Sequence, residues 1–438
     1  MMIRVFIFSV LFFLSFSNFS QTPVTIDEVL AMAIQKNFDV RIEQTNAAGA
    51  VSNKQFAIGA FLPQLTGVGS RTFNNNDQKQ TLANDTEVER NGIESNNLTG
   101  SIQMVWTIFD GTRMFATRKR LAELATLGEV NVRNQLMNTS ALVINNYYNI
   151  VRQKQQLKAT QELISLSEER VKVADRKLQV GTGSKPELLQ AKVDLNAQRT
   201  AALQQETLIQ QLKDQLNGLL GLGLPESFET ADSIPLNLSL TLEEIISDIE
   251  KNNLPLVASR KNIEITELQL KEARRSRMPT ISLTSSYNFT RNENKVAINP
   301  FTPLFNRNQG YNYGASVNLP ILNGLNTQRT IRLAHIEIER QRIVYEQQKA
   351  LATVGVRNAF ANYDNARKVL LIEEENILLA KENANIALES FKRGISNFIE
   401  LRTAQQSLSD AYNRLIAARF SAKNSETELL RLKGALLK

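Results

Sequence analysis

Leu136, Val143, Ile150, Leu157, Ile164, Val171 and Leu178 recur at every seventh position, and Val356, Tyr363, Leu370, Ile377, Ala384 and Phe391 do so again far along the chain. A sustained seven-residue apolar row is the seam of a coiled coil. The spacing predicts unbroken helices over Arg113–Gln179 and Asn326–Lys392. At 1.5 Å per residue each would run ~100 Å, and no compact domain can hide such a rod, so it must pair with others. A second row, Ala352, Ala359, Ala366, Ala380 and Ala387, is small enough for close helix approach, with Glu373 interrupting it.

The two rows belong to a tandem duplication. Thr25-Ile26-Asp27-Glu28-Val29-Leu30 is matched by Thr241-Leu242-Glu243-Glu244-Ile245-Ile246. Lys36-Asn37-Phe38 matches Asn252-Asn253-Leu254, Pro63 matches Pro279 and Phe73 matches Phe289. After one small gap, Phe109-Asp110-Gly111 matches Leu322-Asn323-Gly324, Gly181 matches Gly394 and Gly221 matches Gly434. The expected organisation is a signal peptide over 1–20, a first unit over 21–224, a linker over 225–240 bearing Pro225 and Pro235, and a second unit over 241–438.

Each unit reads helix, strand, strand, long helix, helix. The first helix is expected over 26–61, with Thr25 and Glu28 as a capping box and Pro63 as its stop. The period then falls to two. Ile281, Leu283, Ser285, Tyr287 and Phe289 alternate with small polar residues, as do Tyr311, Tyr313, Ala315, Val317, Leu319 and Ile321. Ile102, Met104, Trp106 and Ile108 repeat the pattern, and 65–73 is the weakest strand. Residues 74–97 and 291–312 are rich in polar residues and read as loops. The strands fit a membrane barrel with lipid-facing and lumen-facing positions, and equally an amphipathic strand in a soluble sandwich. Four strands cannot close a barrel, since ~8 is the practical minimum, so spanning a membrane would require several chains to share one barrel.

Composition narrows the function. The 438 residues contain no Cys and one His, His335, so disulfides, thiolate metal sites, a lipidated N-terminal Cys and most nucleophile–base schemes have no parts. No catalytic residue, cofactor or metal is expected. The net charge of +7 comes from cations scattered among acids, without a basic aromatic face, which argues against nucleic acid. Arg4, the apolar run 5–16 and the small residues Ser17 and Ser20 form a secretory signal. Val180-Gly181-Thr182-Gly183-Ser184-Lys185-Pro186 lacks the spacing of a phosphate loop and reads as a turn, with helix resuming at Glu187. Arg393-Gly394-Ile395-Ser396 is its counterpart, with helix resuming near Phe398.

The duplication, the strand pairs, the signal and the Gly-broken hairpins together resemble the TolC-type outer-membrane factors. The most specific pieces are 180–191 and 391–404. The resemblance covers nearly the whole mature chain. It implies a mainly α protein with a small membrane β-barrel part, forming a homotrimer. Its twelve-stranded barrel would sit on an α-helical coiled-coil periplasmic tunnel in the outer membrane of a Gram-negative bacterium, in contact with outer-membrane lipid. The implied function is the exit duct of a tripartite efflux or type I secretion system, with a periplasmic adaptor (a membrane fusion protein) and an inner-membrane transporter as partners. The tips would dock the adaptor through Gly181, Gly183, Ser184, Leu188, Ala191, Gly394, Ser396, Leu401 and Ala404. The entrance would carry Glu187 and Glu400, with Phe391 where some members have Tyr and Thr403 where some have a second acid. Either glutamate can equally be a first-turn acid that stabilises its helix dipole. A structural or adhesive coiled coil, and the adaptor itself, are the competing functions. The first leaves the period-two strands unexplained. The second needs one hairpin in a β-rich domain, where this chain has two hairpins and few strands.

Overall fold

The computed structural model describes residues 23–81, 83, 85–225, 227–246, 249–297 and 303–436. The expected signal segment, 1–20, lies outside them. The elements are α1 (Ile26–Lys36), α2 (Phe38–Phe56), a short 3-10 turn (Ala57–Phe61), β1 (Gln64–Thr81), β2 (Glu87–Phe109), α3 (Arg113–Gln179) and α4 (Lys185–Leu219). There follow α5 (Leu242–Ile246), α6 (Ile249–Asn252), α7 (Leu254–Arg275), β3 (Thr280–Asn294), β4 (Phe305–Asn318), α8 (Asn326–Lys392) and α9 (Phe398–Lys433). The bounds of α3 and α8 are those the heptads predict. Contacts divide the chain into two compact units, and each draws on both sequence halves.

One unit takes the described residues within 1–41, 136–247 and 355–438. The Thr25–Glu28 capping box forms as expected. The single helix expected over 26–61 is instead broken at Asn37. Buried Asn37 ends α1, and its Oδ1 accepts from Val40 N at 3.1 Å while its Nδ2 donates to Leu219 O at 2.9 Å. On α8 the expected row is the buried row, from Val356 and Tyr363 through Leu370, Ile377 and Ala384 to Phe391. Glu373, the interruption in the alanine row, is buried too, and both its oxygens lie 3.1 Å from Arg414 Nε on α9. On α3 the expected row holds through Val143 and Ile150, then gives way to Leu163, Ser167, Arg170 and Ala174. A straight helix turns by 3.6 residues against a 3.5 repeat, so a seven-residue row drifts off the contact face. The segment expected as a plain linker is packed down. Phe228 enters the core beside Leu224, the last residue before the linker, and Tyr147 Oη donates to Val24 O at 2.7 Å and accepts from Ala231 N at 2.9 Å. Tyr363 Oη donates to Asn237 O at 2.8 Å.

The other unit takes the described residues within 42–135 and 248–354 and holds β1 to β4. Asn253 caps α7 as Asn37 does α2, its Oδ1 accepting from Leu256 N at 3.3 Å. The sheet is a simple antiparallel series in the order β1-β2-β3-β4, and β1 and β4 are edges among the described residues. The polar segments expected as loops are mostly strand. β1 pairs with β2 out to Thr81↔Glu87, and β3 pairs with β4 from Glu293↔Phe305. The ladder there is made by backbone, and where both faces meet water no alternation of apolar side chains marks it. The strand expected to reach Ile321 ends at Asn318, two residues before Pro320, which has no N–H to give a ladder.

Register sorts the two faces. Leu65, Met104 and Tyr313 share a face with Ile102, Tyr287, Tyr311 and Phe289. On the opposite face stand Thr66, Ser70 and Asn74 of β1, Gln103, Thr99 and Ser95 of β2, and the Ser, Thr and Asn residues at alternate positions of β3 and β4. From Gln64 to Asn76 and across to its partners, no charged side chain falls on this second face among the described residues. Among the described residues no helix is long and apolar enough to cross a membrane.

Candidate functional site: the paired hairpin tips

The α3–α4 and α8–α9 hairpins end in turns built on the same device. Gly181 (φ +80°) and Gly394 (φ +75°) take the left-handed conformation that stops a helix. Thr182 N and Gly183 N both donate to Lys177 O at 2.9 Å, and Ile395 N donates to Ser390 O at 2.9 Å. A Cβ added at Gly181 or Gly394 would meet nothing within 4 Å, so their constraint is conformational. Gly183 differs: a Cβ there would lie 2.9 Å from Lys177 Cβ, so its constraint is space.

The next helices start on polar caps. Ser184 Oγ accepts from Glu187 N at 3.4 Å and Ser184 N donates to Glu187 Oε2 at 3.5 Å, with Pro186 in the first turn. Helix α4 therefore begins at Lys185, two residues before the expected Glu187. Asn397 Oδ1 accepts from Glu400 N at 2.8 Å, and its Nδ2 donates to Glu400 Oε1 at 3.3 Å. Both glutamates are thus third residues of a capped helix, the bland alternative of the two readings. Glu400 is exposed and Glu187 half-buried, so their charge still reaches solvent. Glu187 lies in a cleft of about 790 Å³ with Glu169 and the cations Arg176, Lys177, Lys392 and Arg393.

The remaining expected residues fall into two groups. Gly181, Ser184, Gly394 and Thr403 are exposed, and Gly183 and Ser396 are half-buried. Leu188, Ala191, Leu401, Ala404 and Phe391 are buried. Ala191, Phe391 and Leu401 form one apolar cluster with Leu388 and Phe398, which fastens the two hairpins together. In the single chain these five hold the tips in place and offer no side chain to a partner. The apolar side chains that do face out are Val180, Leu189 and Val193 on one tip and Ile395 and Ile399 on the other, each more than half exposed.

Sequence reasoning missed a charged joint above the tips. Arg170 of α3, 2% exposed, donates to Asp194 Oδ2 of α4 at 2.8 Å, and Arg402 Nε of α9 lies 3.2 Å from the same oxygen. The Arg170 guanidinium also lies 5.3 Å from the Phe398 ring centroid. Burial lowers the Arg170 pKa, and the adjacent Asp194 carboxylate opposes that shift. The signal was present in the 163, 167, 170, 174 spacing, which puts Arg170 on the buried stripe of α3.

Comparison with known proteins gives the family and the fold. The family model for "Outer membrane efflux protein" matches residues 29–222 and 245–435. Relatives include the probable efflux pump outer membrane protein TtgC of Pseudomonas putida, 22% identical over 93% of this chain and 82% of its own. The outer membrane protein TolC of Escherichia coli is 21% identical over 96% of this chain and 83% of its own. Among solved structures, the outer membrane protein VceC of Vibrio cholerae superimposes with a TM-score of 0.76 at 15% identity, over 93% of this chain and 96% of that one.

Proposed function

This chain belongs to the outer membrane efflux protein family, whose members are outer-membrane channels rather than enzymes, and from that premise we propose that three copies build one export duct. The observation that carries the trimer is the open sheet. Its edges, β1 and β4, have no further strand beside them among the described residues, and open edges cannot stand in lipid. Edge-to-edge pairing of three copies gives a closed twelve-stranded barrel. The apolar and aromatic face then meets lipid, and the neutral Ser, Thr, Asn and Gln face lines the lumen. The long helices support the same reading: Leu371, Ile372, Leu378, Leu379 and Ile386 are more than half exposed on α8 in the single chain, and neighbouring copies would cover them.

The two sequence units, 21–224 and 241–438, joined by 225–240, each give the trimer two strands and a helical hairpin. The tips are the periplasmic entrance and the contact for a periplasmic adaptor, itself coupled to an inner-membrane transporter in an efflux or type I secretion system. We place the adaptor contact on the exposed Val180, Leu189, Ile395 and Ile399, with Gly181, Gly183, Ser184, Gly394 and Ser396 shaping the turns. Leu188, Ala191, Leu401 and Ala404 support them from beneath. Glu187 and Glu400 contribute negative charge at the mouth, near the buried Phe391 and the exposed Thr403.

The natural absence of Cys makes the trimer directly testable. Single cysteines placed on the edges, Thr66→Cys in β1 with Ser316→Cys in β4, are treated in membranes with a short bismaleimide. Cross-linked products that stop at three chains are expected. A ladder absent in membranes, or one that stops at two chains, would refute the shared barrel.

A further inference from the structure

The apolar face of the sheet ends in a row of arginines. Arg71 of β1 is paired with Leu98, Leu98 with Arg291 of β3, and Arg291 with Arg307 of β4. The three side chains stand on the same face as Tyr287, Tyr311 and Phe289, one or two steps further from the helices. All three are exposed. Arg291 and Arg307 face each other directly, and like charges opposed across a ladder are destabilising. The row above contributes one carboxylate, Glu293, which Arg291 contacts, against three guanidinium groups. Arg71 donates to Asn96 Oδ1 at 3.1 Å and shares the Glu293 charge with Arg291, while Arg307 donates to the neutral Gln309 Oε1 at 3.0 Å. Each guanidinium also lies by a ring of the same face, Arg71 at 4.7 Å from Phe73, and Arg291 and Arg307 at 5.5 Å from Phe305 and Phe289. These contacts hold the side chains up against the strands and leave three guanidinium groups against one carboxylate, a net positive surface.

Height along the strands identifies what meets that surface. Ten residues separate Ile281, at the helix-proximal end of the sheet, from Arg291. At ~3.3 Å per residue and a tilt near ~40° that rise is ~25 Å, the height of a barrel's apolar band. The row therefore stands at the headgroup level of the outer leaflet, just above the aromatic residues. We infer that Arg71, Arg291 and Arg307 form a binding site for the phosphate groups of an anionic lipid of the outer leaflet. Guanidinium forks suit phosphate oxygens, and an acyl chain continues naturally down the Tyr287–Tyr311 face. In a closed barrel β4 of one copy borders β1 of the next, so Arg307 and the neighbouring copy's Arg71 would continue the row around the belt. The site rests on the barrel reading for its height and for that continuation.

The test uses the full-length protein in a zwitterionic detergent. It is titrated with lipid A carrying both phosphates and with the same lipid after phosphate removal, and binding is followed by native mass spectrometry. The phosphorylated lipid is expected to bind about tenfold more tightly, since charge-assisted contacts are lost with the phosphates. That preference is expected to vanish in the Arg71→Gln, Arg291→Gln, Arg307→Gln variant and to survive in part in the corresponding Lys variant. Equal binding of the two lipids, an undiminished preference in the Gln variant, or displacement by an equal concentration of inorganic phosphate would each overturn the lipid site. Images of the same samples report the assembly separately. A three-fold tube that binds both lipids equally removes the site and leaves the barrel standing. A phosphate preference that depends on the arginines in particles without a tube keeps the site and removes the barrel.

Discussion

At Gly181 and Gly394 one backbone angle decides whether the long helices can turn back. A β-branched residue at positive φ costs roughly 1–2 kcal/mol, and nothing around these glycines is close enough to add a clash. Gly181→Val and Gly394→Val should therefore leave the tube assembled while the tip amides lose protection from hydrogen exchange by about tenfold. Unchanged protection in both would show that the turns do not depend on the left-handed conformation. These glycines and the caps at Thr25, Ser184 and Asn397 were legible because special backbone positions admit few residue types. Arg170 was not. A charge on a heptad stripe reads as solvated, and only the Asp194 and Phe398 side chains brought to it by other segments make its burial tolerable. The buried state of Leu188 and Leu401 was likewise hidden, because a sequence shows that a residue is apolar without showing which neighbour covers it.

At the scale of elements, legibility followed periodicity. Both 67-residue helices were found to the residue, since a sustained row and a terminal glycine leave little freedom. The break at Asn37 was missed because the helical pattern resumes at once on its far side, and a buried asparagine side chain replaces the continuing bonds. The strands were found where they alternate and lost where they do not. Beyond Phe73↔Asn96 the β1–β2 ladder is polar apart from Ile93 and Val88, so the pairing leaves no alternation in hydropathy. In the proposed barrel this extension would lie above the apolar band and should be dispensable for closure. Replacing residues 77–92 by an Asn-Gly turn that joins the Asn76↔Ile93 pair should leave oligomer assembly intact, with a change in stability within about 1 kcal/mol. Loss of the heat-stable oligomer on gels would show that the extension takes part in holding the barrel.

For the whole molecule, the sheet and the hairpin tips differ in charge. The sheet face assigned to the lumen is neutral from Gln64 to Asn76 and across to its partners, so over that span it gives the proposed duct no ion preference. Glu187 and Glu400 are the acids at the tips, yet Arg176, Lys177, Lys392 and Arg393 share the cleft with Glu187. Glu187→Gln with Glu400→Gln should lower the cation preference of the pore in planar bilayers about twofold, a modest effect because exposed charges are screened by salt. A reversal potential indistinguishable from the parent channel would remove the two acids from the entrance. The family relationship was legible because duplication, heptads and alternating strands each constrain the fold independently and all agree. The proposed number of chains rests on what four strands cannot do alone. Imaging of the detergent-extracted protein by electron microscopy tests that claim most directly. A three-fold tube, with a detergent belt at one end and a helical stalk of ~100 Å, is the predicted result; a slender rod without a belt, or a compact monomer, would contradict it.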